Sequence, residues 1–485
     1  MDIKLSIEMK LLSQFLNAKY LDYKIIDNNQ LLCNELVFKY KKDFFNNIKI
    51  IDCDDNYRLN KILQETEIFQ FYDKLLSLIY GTINGYYTYQ YGFRKMLKSR
   101  NVIKIEDLMM KDIDEFNNLC NKIITRTSET EMYPFMYYTE LPEKYNVASN
   151  YTIKVPFVHF NDNDISNKKI YKDFNLGFPI HPLNFNNIQE KKYRVDFIEC
   201  FVSASNRTFT NKNIPFYFKV DVPCRISGSV RNLTRSESRM KASKIAKNNI
   251  EEFNNKKEYK LFLLEDIGFI EKNNMSFVVR HKEKDKKLIP FHALLSNDYF
   301  IEKNILDWFI ENGVNNNSNV LEYSLETIIF PILDIFDYFV GVSKNYNKFV
   351  QPYNFHKQNL GIVLNNKNKI EGFYAQDFDM DLDLTPENVC LEFDTMLTGQ
   401  IIYPIIEQLQ KYYGVDSKEV IKLIRGYIFI KCKNITQYLY DKNVQNKSYH
   451  INFLNKDLFK NIFASYWLGS PNPLRNLSNK GEKLK

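Results

Sequence analysis

Two short polar segments of this sequence hold the residue types best suited to binding a phosphate chain. Residues 356–359 read His-Lys-Gln-Asn, and residues 377–379 read Asp-Phe-Asp. Carboxylate and amide oxygens are hard ligands of the kind that Mg²⁺ binds, and a histidine can contact phosphate. Together the two segments predict one wall of a nucleotide site.

A β-hairpin between the two segments would bring them side by side. Residues 360–364 are apolar, residues 365–369 are polar, and residues 370–376 have the composition of a second strand. Because a hairpin folds its two ends together, His356 and Asn359 would lie beside Asp377.

The acidic segment also allows a plainer interpretation. Every second residue from 377 to 383 is an aspartate, as expected for a strand with one solvated face. We expect Asp381 and Asp383 to belong to such a face. An EF-hand calcium loop is excluded, because Leu382 and Asn388 stand where that loop requires glycine and glutamate.

A series of basic residues lies in the middle of the chain. Arg207, Lys219 and Arg231 recur at spacings of twelve residues, and Ser205 and Thr208 flank the first of them. On a β meander such positions can converge on one anion, although a single arginine on a strand is more often a surface residue. Each charge-assisted contact to phosphate contributes roughly 1.5–3 kcal/mol, so three or four of them could bind a triphosphate.

A third motif is the turn at residues 177–182, which reads Gly-Phe-Pro-Ile-His-Pro. Prolines on both sides of its centre make the turn rigid. A histidine in such a place is more often structural than functional. His181 would nevertheless be held well for a contact with a carboxylate substrate.

The elements around these motifs indicate an α+β protein. A chain of 485 residues has room for two to four domains. We expect a helical N-terminal domain over residues 1–140, a domain built round an antiparallel sheet over 141–300, and a mainly helical domain over 301–485 that contains the hairpin. The predicted helices lie near residues 63–79, 234–253, 416–432 and 455–466, and the predicted strands near 155–160, 194–202 and 216–226.

Composition narrows the class of protein. The net charge of +7, from 66 basic and 59 acidic residues, suits an enzyme with anionic substrates or a weak polyanion binder. No basic block dominates, so a nucleic-acid partner is disfavoured. The seven cysteines form no Cys-x-x-Cys pair, which disfavours a disulfide framework and a zinc site and favours the cytoplasm. The first residues include acidic side chains and lack an apolar run, so we expect no signal peptide there. Charged residues interrupt the most apolar window, residues 327–342, so no membrane partner is expected.

Taken in order, these motifs resemble those of the NRPS-independent siderophore synthetases, the aerobactin-synthetase-like IucA/IucC family. The family pattern Gly-His-Pro-x-His-Pro is similar to residues 177–182, and Ser-x-Arg-Thr is similar to residues 205–208. The pattern Lys-Leu-x-x-Pro-x-Arg-Ile-Thr-x-x-x-Arg is similar to residues 219–231. His-Gly-Gln-Asn, Arg-Asp-Phe-Asp and a late Asn-Pro-Leu are similar to residues 356–359, 376–379 and 472–474.

The resemblance implies a fold shaped like a cupped hand, with a helical thumb, β-rich fingers and a helical, kinase-like palm that binds ATP against the fingers. It also implies a ligase and its substrates. Such an enzyme adenylates a carboxylate, expected here to be citrate or a related polycarboxylate, and then joins it to an amine, such as the diamine putrescine, or to a hydroxyl. AMP and pyrophosphate are released, and family members are often homodimers.

The resemblance further implies a role for individual residues. ATP would be bound by Ser205, Arg207, Thr208, Lys219, Arg231, His356 and Gln358. Mg²⁺ would be bound by Asn359, Asp377 and Asp379, and the substrate carboxylate by His181 and Ser227. Among the ATP contacts, Arg207, Lys219, Arg231 and His356 would neutralise the charge that develops during the reaction.

The sequence departs from the family pattern at six positions and leaves two alternatives open. Phe178, Phe185, Asn187, Asn354, Lys357 and Gln376 stand where the family has His, Lys, Arg, Glu, Gly and Arg. One alternative is a kinase-like phosphotransferase that uses the same palm residues and releases ADP. The other is a non-catalytic relative that binds a ligand or partner.

Overall fold

The structure is a computed structural model of the chain. It describes residues 9, 12–13, 16, 23–33, 36–42, 48–53, 103–122, 141–147, 152–160, 171–172, 176–185, 193–226, 229–231, 233, 236–272, 275–295, 304–314, 319–352, 355–380 and 382–439.

The first described elements form a small antiparallel sheet. Its strands, in spatial as well as chain order, are β1 (Lys24–Ile25), β2 (Gln30–Cys33), β3 (Leu36–Lys42) and β4 (Ile48–Cys53). Leu31, Cys33, Phe38 and Tyr40 are buried at every second position, which is the period of a strand. The prediction of helix for the N-terminal domain is therefore wrong for these four strands, and the predicted helix at 63–79 lies outside the described residues. Two helices follow, α1 (Ile105–Met110) and α2 (Ile113–Lys122).

The middle of the chain is rich in strands, as predicted. After a 3₁₀ turn (Glu143–Tyr145), its elements are β5 (Thr152–His159), β6 (Phe178–Pro179), α3 (Pro182–Phe185), β7 (Arg194–Val202), β8 (Thr208–Thr210), β9 (Phe216–Val220), β10 (Val222–Ile226), β11 (Ser229–Arg231), α4 (Ser236–Lys256), β12 (Lys260–Leu264), β13 (Asp266–Lys272), β14 (Met275–His281), β15 (Lys287–Pro290) and α5 (Phe291–Leu294). The predicted strands at 155–160 and 194–202 and the helix at 234–253 are confirmed. The strand predicted at 216–226 is divided into β9 and β10.

Seven of these strands form one antiparallel sheet, in the order β13-β14-β9-β8-β7-β5-β6. Phe157, Phe209, Phe218 and Phe277 cover one face and are fully buried in a common core. Side chains alternate along each strand, so Lys219, next to Phe218, projects from the opposite face. The sheet thus has an apolar face and a face that carries charged residues.

The rest of the described chain is mainly helical. Its elements are α6 (Ile305–Gly313), α7 (Val320–Ser324), a π-helical segment (Leu325–Ile329), α8 (Phe330–Ser343), β16 (Gln351–Pro352), β17 (Leu360–Leu364), β18 (Ile370–Gln376), β19 (Phe378–Asp379), α9 (Pro386–Leu391), a second π-helical segment (Glu392–Ile402), α10 (Tyr403–Tyr413), α11 (Ser417–Lys431) and α12 (Lys433–Leu439). The helix predicted at 416–432 is confirmed as α11, while the one predicted at 455–466 lies outside the described residues. No helix in the described ranges is long and apolar enough to cross a bilayer.

A second sheet connects the middle of the chain to the C-terminal region. Its order is β12-β18-β17-β15, with β12 parallel to β18 and the other pairs antiparallel. A domain boundary at residue 300 would divide this sheet, because β12 and β15 precede that residue and β17 and β18 follow it. One residue, Glu265, separates β12 from β13, so the chain passes directly from this sheet into the seven-stranded one. Asp266 is thereby placed beside the end of β18, where Leu264 pairs with Gln376.

Glycine at position 372 is required by the close approach of β12 and β18. A Cβ atom at Gly372 would lie 2.1 Å from the backbone oxygen of Lys260.

We expect Gly372→Ala to lower the stability of the protein by about 1–3 kcal/mol, because the backbone of β12 must move. Gly426→Ala in α11 is the matched control, since no heavy atom lies within 4 Å of the place that the added methyl group would take, and it should stabilise the helix by about 0.5–1 kcal/mol. Thermal unfolding of both variants checks this; equal midpoints would contradict it.

Candidate functional site

The predicted hairpin is confirmed, and it brings the two polar segments together. β17 and β18 pair from Leu360 opposite Ala375 to Leu364 opposite Ile370. Beyond the last pair, the backbone N–H of Gln376 donates to the carbonyl oxygen of Asn359 at 3.0 Å. The first segment therefore ends where the second begins, one residue before Asp377.

The first segment is a tight turn whose side chains hold one another. Nδ1 of His356 accepts a hydrogen bond from the N–H of Gln358 at 3.1 Å, and the N–H of Asn359 donates to the carbonyl oxygen of His356 at 2.9 Å. The Asn359 side-chain amide lies 3.4 Å from Nε2 of His356. His356 and Gln358 are partly exposed, whereas Asn359 is buried. The turn therefore presents an imidazole and an amide at the mouth of the hairpin.

Asp377 lies against three cations of the site. Its carboxylate accepts hydrogen bonds from Lys219 at 2.5 Å and Arg280 at 2.9 Å, and Arg239 lies at 3.5 Å. Burial alone would raise the pKa of Asp377, but Lys219, Arg280 and Arg239 hold it well below its usual range. Its φ of +61° is unusual for a residue other than glycine, and such strain occurs at functional sites when neighbours enforce it.

Strand register explains why Lys219 and Arg280 reach the same carboxylate. In the seven-stranded sheet, Lys219 of β9 is opposite Thr208 of β8 on one side and Val278 of β14 on the other. Residues opposite each other share a face, and so do residues two apart on one strand. Lys219 and Arg280 therefore belong to the charged face of the sheet, which meets the end of β18.

Helix α4 closes the other side of the acidic pair. Its buried residues Ala242, Ala246 and Phe253 follow helical spacing and pack into the core. Near its N-terminus, Ser238 donates a hydrogen bond to Asp379 at 2.7 Å, and Arg239 lies 3.8 Å from the same carboxylate. The predicted acidic segment is thus enclosed by cations and donors from α4 and the large sheet.

The predicted segment 205–208 forms the turn between β7 and β8. The Ser205 hydroxyl donates to the hydroxyl of Thr208 at 2.8 Å and accepts from its backbone N–H at 3.1 Å. Asn206 has a φ of +59°, and its side chain accepts from the N–H of Val147 at 2.8 Å. Because Thr208 pairs with Lys219, this turn lies at the end of the charged face of the sheet. Arg207 is close enough to Lys219 for the two positive charges to repel each other.

Three predicted residues are not brought to this cluster by the described structure. His181 is fully buried, where Nδ1 accepts from the N–H of Leu183 at 3.1 Å and its ring contacts Tyr145 and Phe209. Burial lowers the pKa of His181 to about 4, so the ring is neutral at pH 7, and its contact with the backbone of Asn206 places it next to the 205–208 turn. Arg231 is in β11, paired with Val222, and its side chain is not described. Ser227 lies outside the described residues.

Four of the six residues that depart from the family pattern lie in the described part of the chain, and each has contacts there. Gln376 donates to the carbonyl oxygen of Gln358 at 2.9 Å and accepts from Arg280 at 3.3 Å. Lys357 is buried, and its carbonyl oxygen accepts from the N–H of His292 at 2.8 Å. Phe178 and Phe185 are buried in the core of the large sheet. Asn187 and Asn354 lie outside the described residues.

Sequence reasoning missed Arg280, Arg239, Asp266 and Ser238. One signal for Arg280 was available, since it follows Phe277, Val278 and Val279 in a strand that is buried on both faces. A charged residue in such a strand needs a partner. Nothing in the sequence indicated that the partners would be Asp266 and Asp377.

The donor set around the hairpin fits Mg²⁺. Within the described ranges, no three histidine, cysteine, aspartate or glutamate side chains could together hold a metal ion. Mg²⁺ is commonly bound by one or two carboxylates together with substrate phosphates and water, and Asp377, Asp379 and the Asn359 amide are residues of those types. An ion placed at Asp377 would compete with Lys219 for the charge of that carboxylate, so binding is favoured if Lys219 turns to another anion such as a phosphate. The metal site predicted at these three residues stays a prediction.

Comparisons with solved structures show what fold these elements form. The chain has the fold of the aerobactin synthetases. ATP-bound aerobactin synthetase IucA from a hypervirulent pathotype of Klebsiella pneumoniae matches 91% of the chain and 94% of its own, at a TM-score of 0.64 and 10% identity. Aerobactin synthetase IucC from the same source matches 89% and 91%, at 0.60 and 12%. The petrobactin biosynthesis protein AsbB of Bacillus anthracis str. Sterne matches 100% and 98%, at 0.62 and 13%.

The likeness to AsbB extends over the whole chain and so includes the N-terminal third, which the sequence motifs do not cover. What the proteins share at such low identity is the fold, and the α+β class predicted from the sequence is confirmed. The cupped-hand arrangement of thumb, fingers and palm stays a prediction. No family model matches the sequence, and no curated protein is similar to it in sequence.

One buried acid makes the stability of the site depend on pH. Burial raises the pKa of Glu392 to about 7 from 4.5, although its carboxylate accepts from the N–H of Phe355 at 3.2 Å and from the Gln351 side chain. Because the pKa of Glu392 is higher in the folded protein than in the unfolded chain, the protonated form favours folding. This contribution to the free energy of unfolding is fully present below the unfolded pKa of 4.5 and is lost as pH rises through about 7.

We therefore expect Glu392→Gln to gain stability relative to the unmodified protein as pH rises from about 5 to about 8, by up to about 3 kcal/mol. The measurement is the unfolding midpoint of both proteins across that range. Parallel curves would show that Glu392 has an ordinary pKa.

Proposed function

We propose that this protein is an ATP-dependent siderophore synthetase. It would adenylate a carboxylate, with citrate or a related polycarboxylate as the expected acid, and condense it with an amine or a hydroxyl. The observation that carries the proposal is the buried carboxylate of Asp377, which faces Lys219 and Arg280 across the mouth of the hairpin. This arrangement occurs in a fold shared with aerobactin synthetases, one of which is described as ATP-bound.

The cluster has the charges that a triphosphate needs. Lys219 is a buried cation on a flexible stem, and Arg207, which is also buried, lies at the adjacent turn. The partly exposed His356 and Gln358 would contact the nucleotide from the hairpin, while Ser205 and Thr208 would contact it from the turn between β7 and β8. Fixed donors aimed at developing charge stabilise a transition state without reorganising during the reaction.

The proposed reaction has two steps. A carboxylate oxygen of the acid attacks the α-phosphorus of ATP, the bond to the β-phosphate oxygen breaks, and pyrophosphate leaves. The amine nitrogen or hydroxyl oxygen then attacks the acyl carbon and loses a proton to solvent, and AMP leaves. Lys219, Arg207, His356 and the predicted Arg231 would neutralise charge on the phosphates. These steps require no covalent attachment to the protein, so positioning and charge contribute most.

Asn359, Asp377 and Asp379 would hold the Mg²⁺ that accompanies ATP. When bound, Mg²⁺ would neutralise phosphate charge and orient the leaving pyrophosphate. His181 is fully buried, so its predicted contact with the substrate carboxylate would require the residues that cover it to move. Within the proposal we assign it instead to support of the turn.

The kinase-like alternative is favoured by one observation. A buried lysine on a strand that pairs with an aspartate after a hairpin resembles the arrangement of a kinase nucleotide site. The two reactions differ in their products, because adenylation releases AMP and pyrophosphate whereas phosphotransfer releases ADP.

We expect exchange of labelled pyrophosphate into ATP that depends on citrate or a related acid. Lys219→Met should reduce the exchange at least about a hundredfold, because a charged contact to phosphate is lost in a dry site. Lys286→Met is the matched control, since its ion pair with Glu371, at 2.6 Å, lies at the opposite end of β18, and its exchange should be unchanged. ADP release without exchange would overturn adenylation, and no product with any acid–amine pair would favour a binding protein.

A further inference from the structure

Two of the three cations beside Asp377 donate hydrogen bonds to it, and they are held in different ways, while Arg239 lies 3.5 Å from one of its oxygens. In the described part of the chain, Lys219 has Asp377 as its one hydrogen-bonding carboxylate, at 2.5 Å. Arg280 contacts the other oxygen of Asp377 at 2.9 Å and is bound to a second carboxylate as well. Its Nε and Nη2 donate to the two oxygens of Asp266 at 2.6 Å and 3.3 Å.

Arg280 is therefore fixed from several sides. Nη1 donates to the side-chain oxygen of Gln376 at 3.3 Å, so the guanidinium joins three separate side chains of the site. Its side chain is 5% exposed, and that of Asp266 is 1% exposed. A planar guanidinium with several donors can make these contacts together, whereas an ammonium cannot. An arginine at position 376, as in the family pattern, would place a second guanidinium at this point.

This difference between Lys219 and Arg280 matters when Lys219 leaves Asp377 to contact a phosphate of the nucleotide. The Lys219–Asp377 pair is almost fully buried, with 6% and 11% of the side chains exposed. Removing one partner of such a pair leaves a buried charge, which is strongly unfavourable unless another cation is present. Arg280 would stay beside Asp377 when Lys219 turns to the phosphate, because two of its nitrogens are bound to Asp266. It would keep one oxygen of Asp377 bound and leave the other available.

We propose that Arg280 is a positioning residue that holds the Asp377 carboxylate in place while Lys219 exchanges from Asp377 to the phosphates of the nucleotide. The inference rests on the proposed nucleotide site and extends it to a residue with no assigned role. Arg280 would act through Asp377, without touching the nucleotide, and its loss would weaken the binding of a divalent cation beside that nucleotide.

The test measures binding of Mn²⁺, as a paramagnetic probe, to the protein with a non-hydrolysable ATP analogue. Arg280→Lys should weaken Mn²⁺ binding by about tenfold or more, which is the usual effect of losing a group that orients a metal-binding carboxylate. Asp377→Asn should weaken it at least as much. In the double variant the Arg280 change should add almost nothing, because its effect passes through Asp377.

A purely structural role for Arg280 would give additive effects in this cycle, and that result would overturn the inference. Unchanged Mn²⁺ binding in Arg280→Lys would overturn it as well. Lys286→Met, at the far end of β18, is the control and should bind Mn²⁺ like the unmodified protein. If Arg280→Lys does not fold, Asp266→Asn removes the anchor while keeping Arg280, and it should weaken Mn²⁺ binding in the same direction.

The outcomes separate this inference from the proposed function. If the unmodified protein binds neither the analogue nor Mn²⁺, both are overturned. If it binds them and Arg280→Lys binds them equally well, only the role of Arg280 is overturned. ADP formation in the exchange assay would overturn adenylation alone, because the binding measurement does not depend on the product.

Discussion

The buried ion pair between Lys219 and Asp377 is the interaction on which the candidate site depends. It joins a strand of the seven-stranded sheet to the residue that follows the hairpin, across 158 positions of sequence. Neither charge could be buried alone at a tolerable cost in free energy. Arg280 and Arg239, together with Asp266 and Asp379, complete a network of three cations and three carboxylates that is held in place by the fold itself.

The fold supplies this meeting point through a short connection between two sheets. Strand β12 lies parallel to β18 in the smaller sheet, and after Glu265 the chain continues as β13 at the edge of the larger one. The ends of β18 and β13 are consequently neighbours, and Asp266 and Asp377 can share Arg280. Helix α4 packs along the same junction and contributes Ser238 and Arg239. Side chains from β9, β14 and α4 thus converge on Asp377 and Asp379.

Local patterns in the sequence are sufficient to predict the elements that carry the site. Strands β17 and β18 have the predicted bounds, because apolar runs flank a polar turn that Asn365 closes with its side chain. The pairing of strands that are distant in the sequence is harder to predict from such local patterns. The role of Arg280 depends on β14 lying beside β9 and on β12 leading into β13, and neither follows from local periodicity. The sheet at residues 24–53 escapes prediction for another reason, since the helical interpretation of the N-terminal region rests on spacing further along the chain.

The central claim is that Lys219 and Asp377 are paired so that each can exchange its partner when a metal–nucleotide complex binds. The most direct measurement is a crystal structure with Mg²⁺ and a non-hydrolysable ATP analogue. We expect the phosphates beside Lys219 and the metal beside Asp377 and Asn359, with Nζ of Lys219 withdrawn from the carboxylate that it contacts at 2.5 Å here. A nucleotide bound elsewhere, with the Lys219–Asp377 pair intact, would contradict this account.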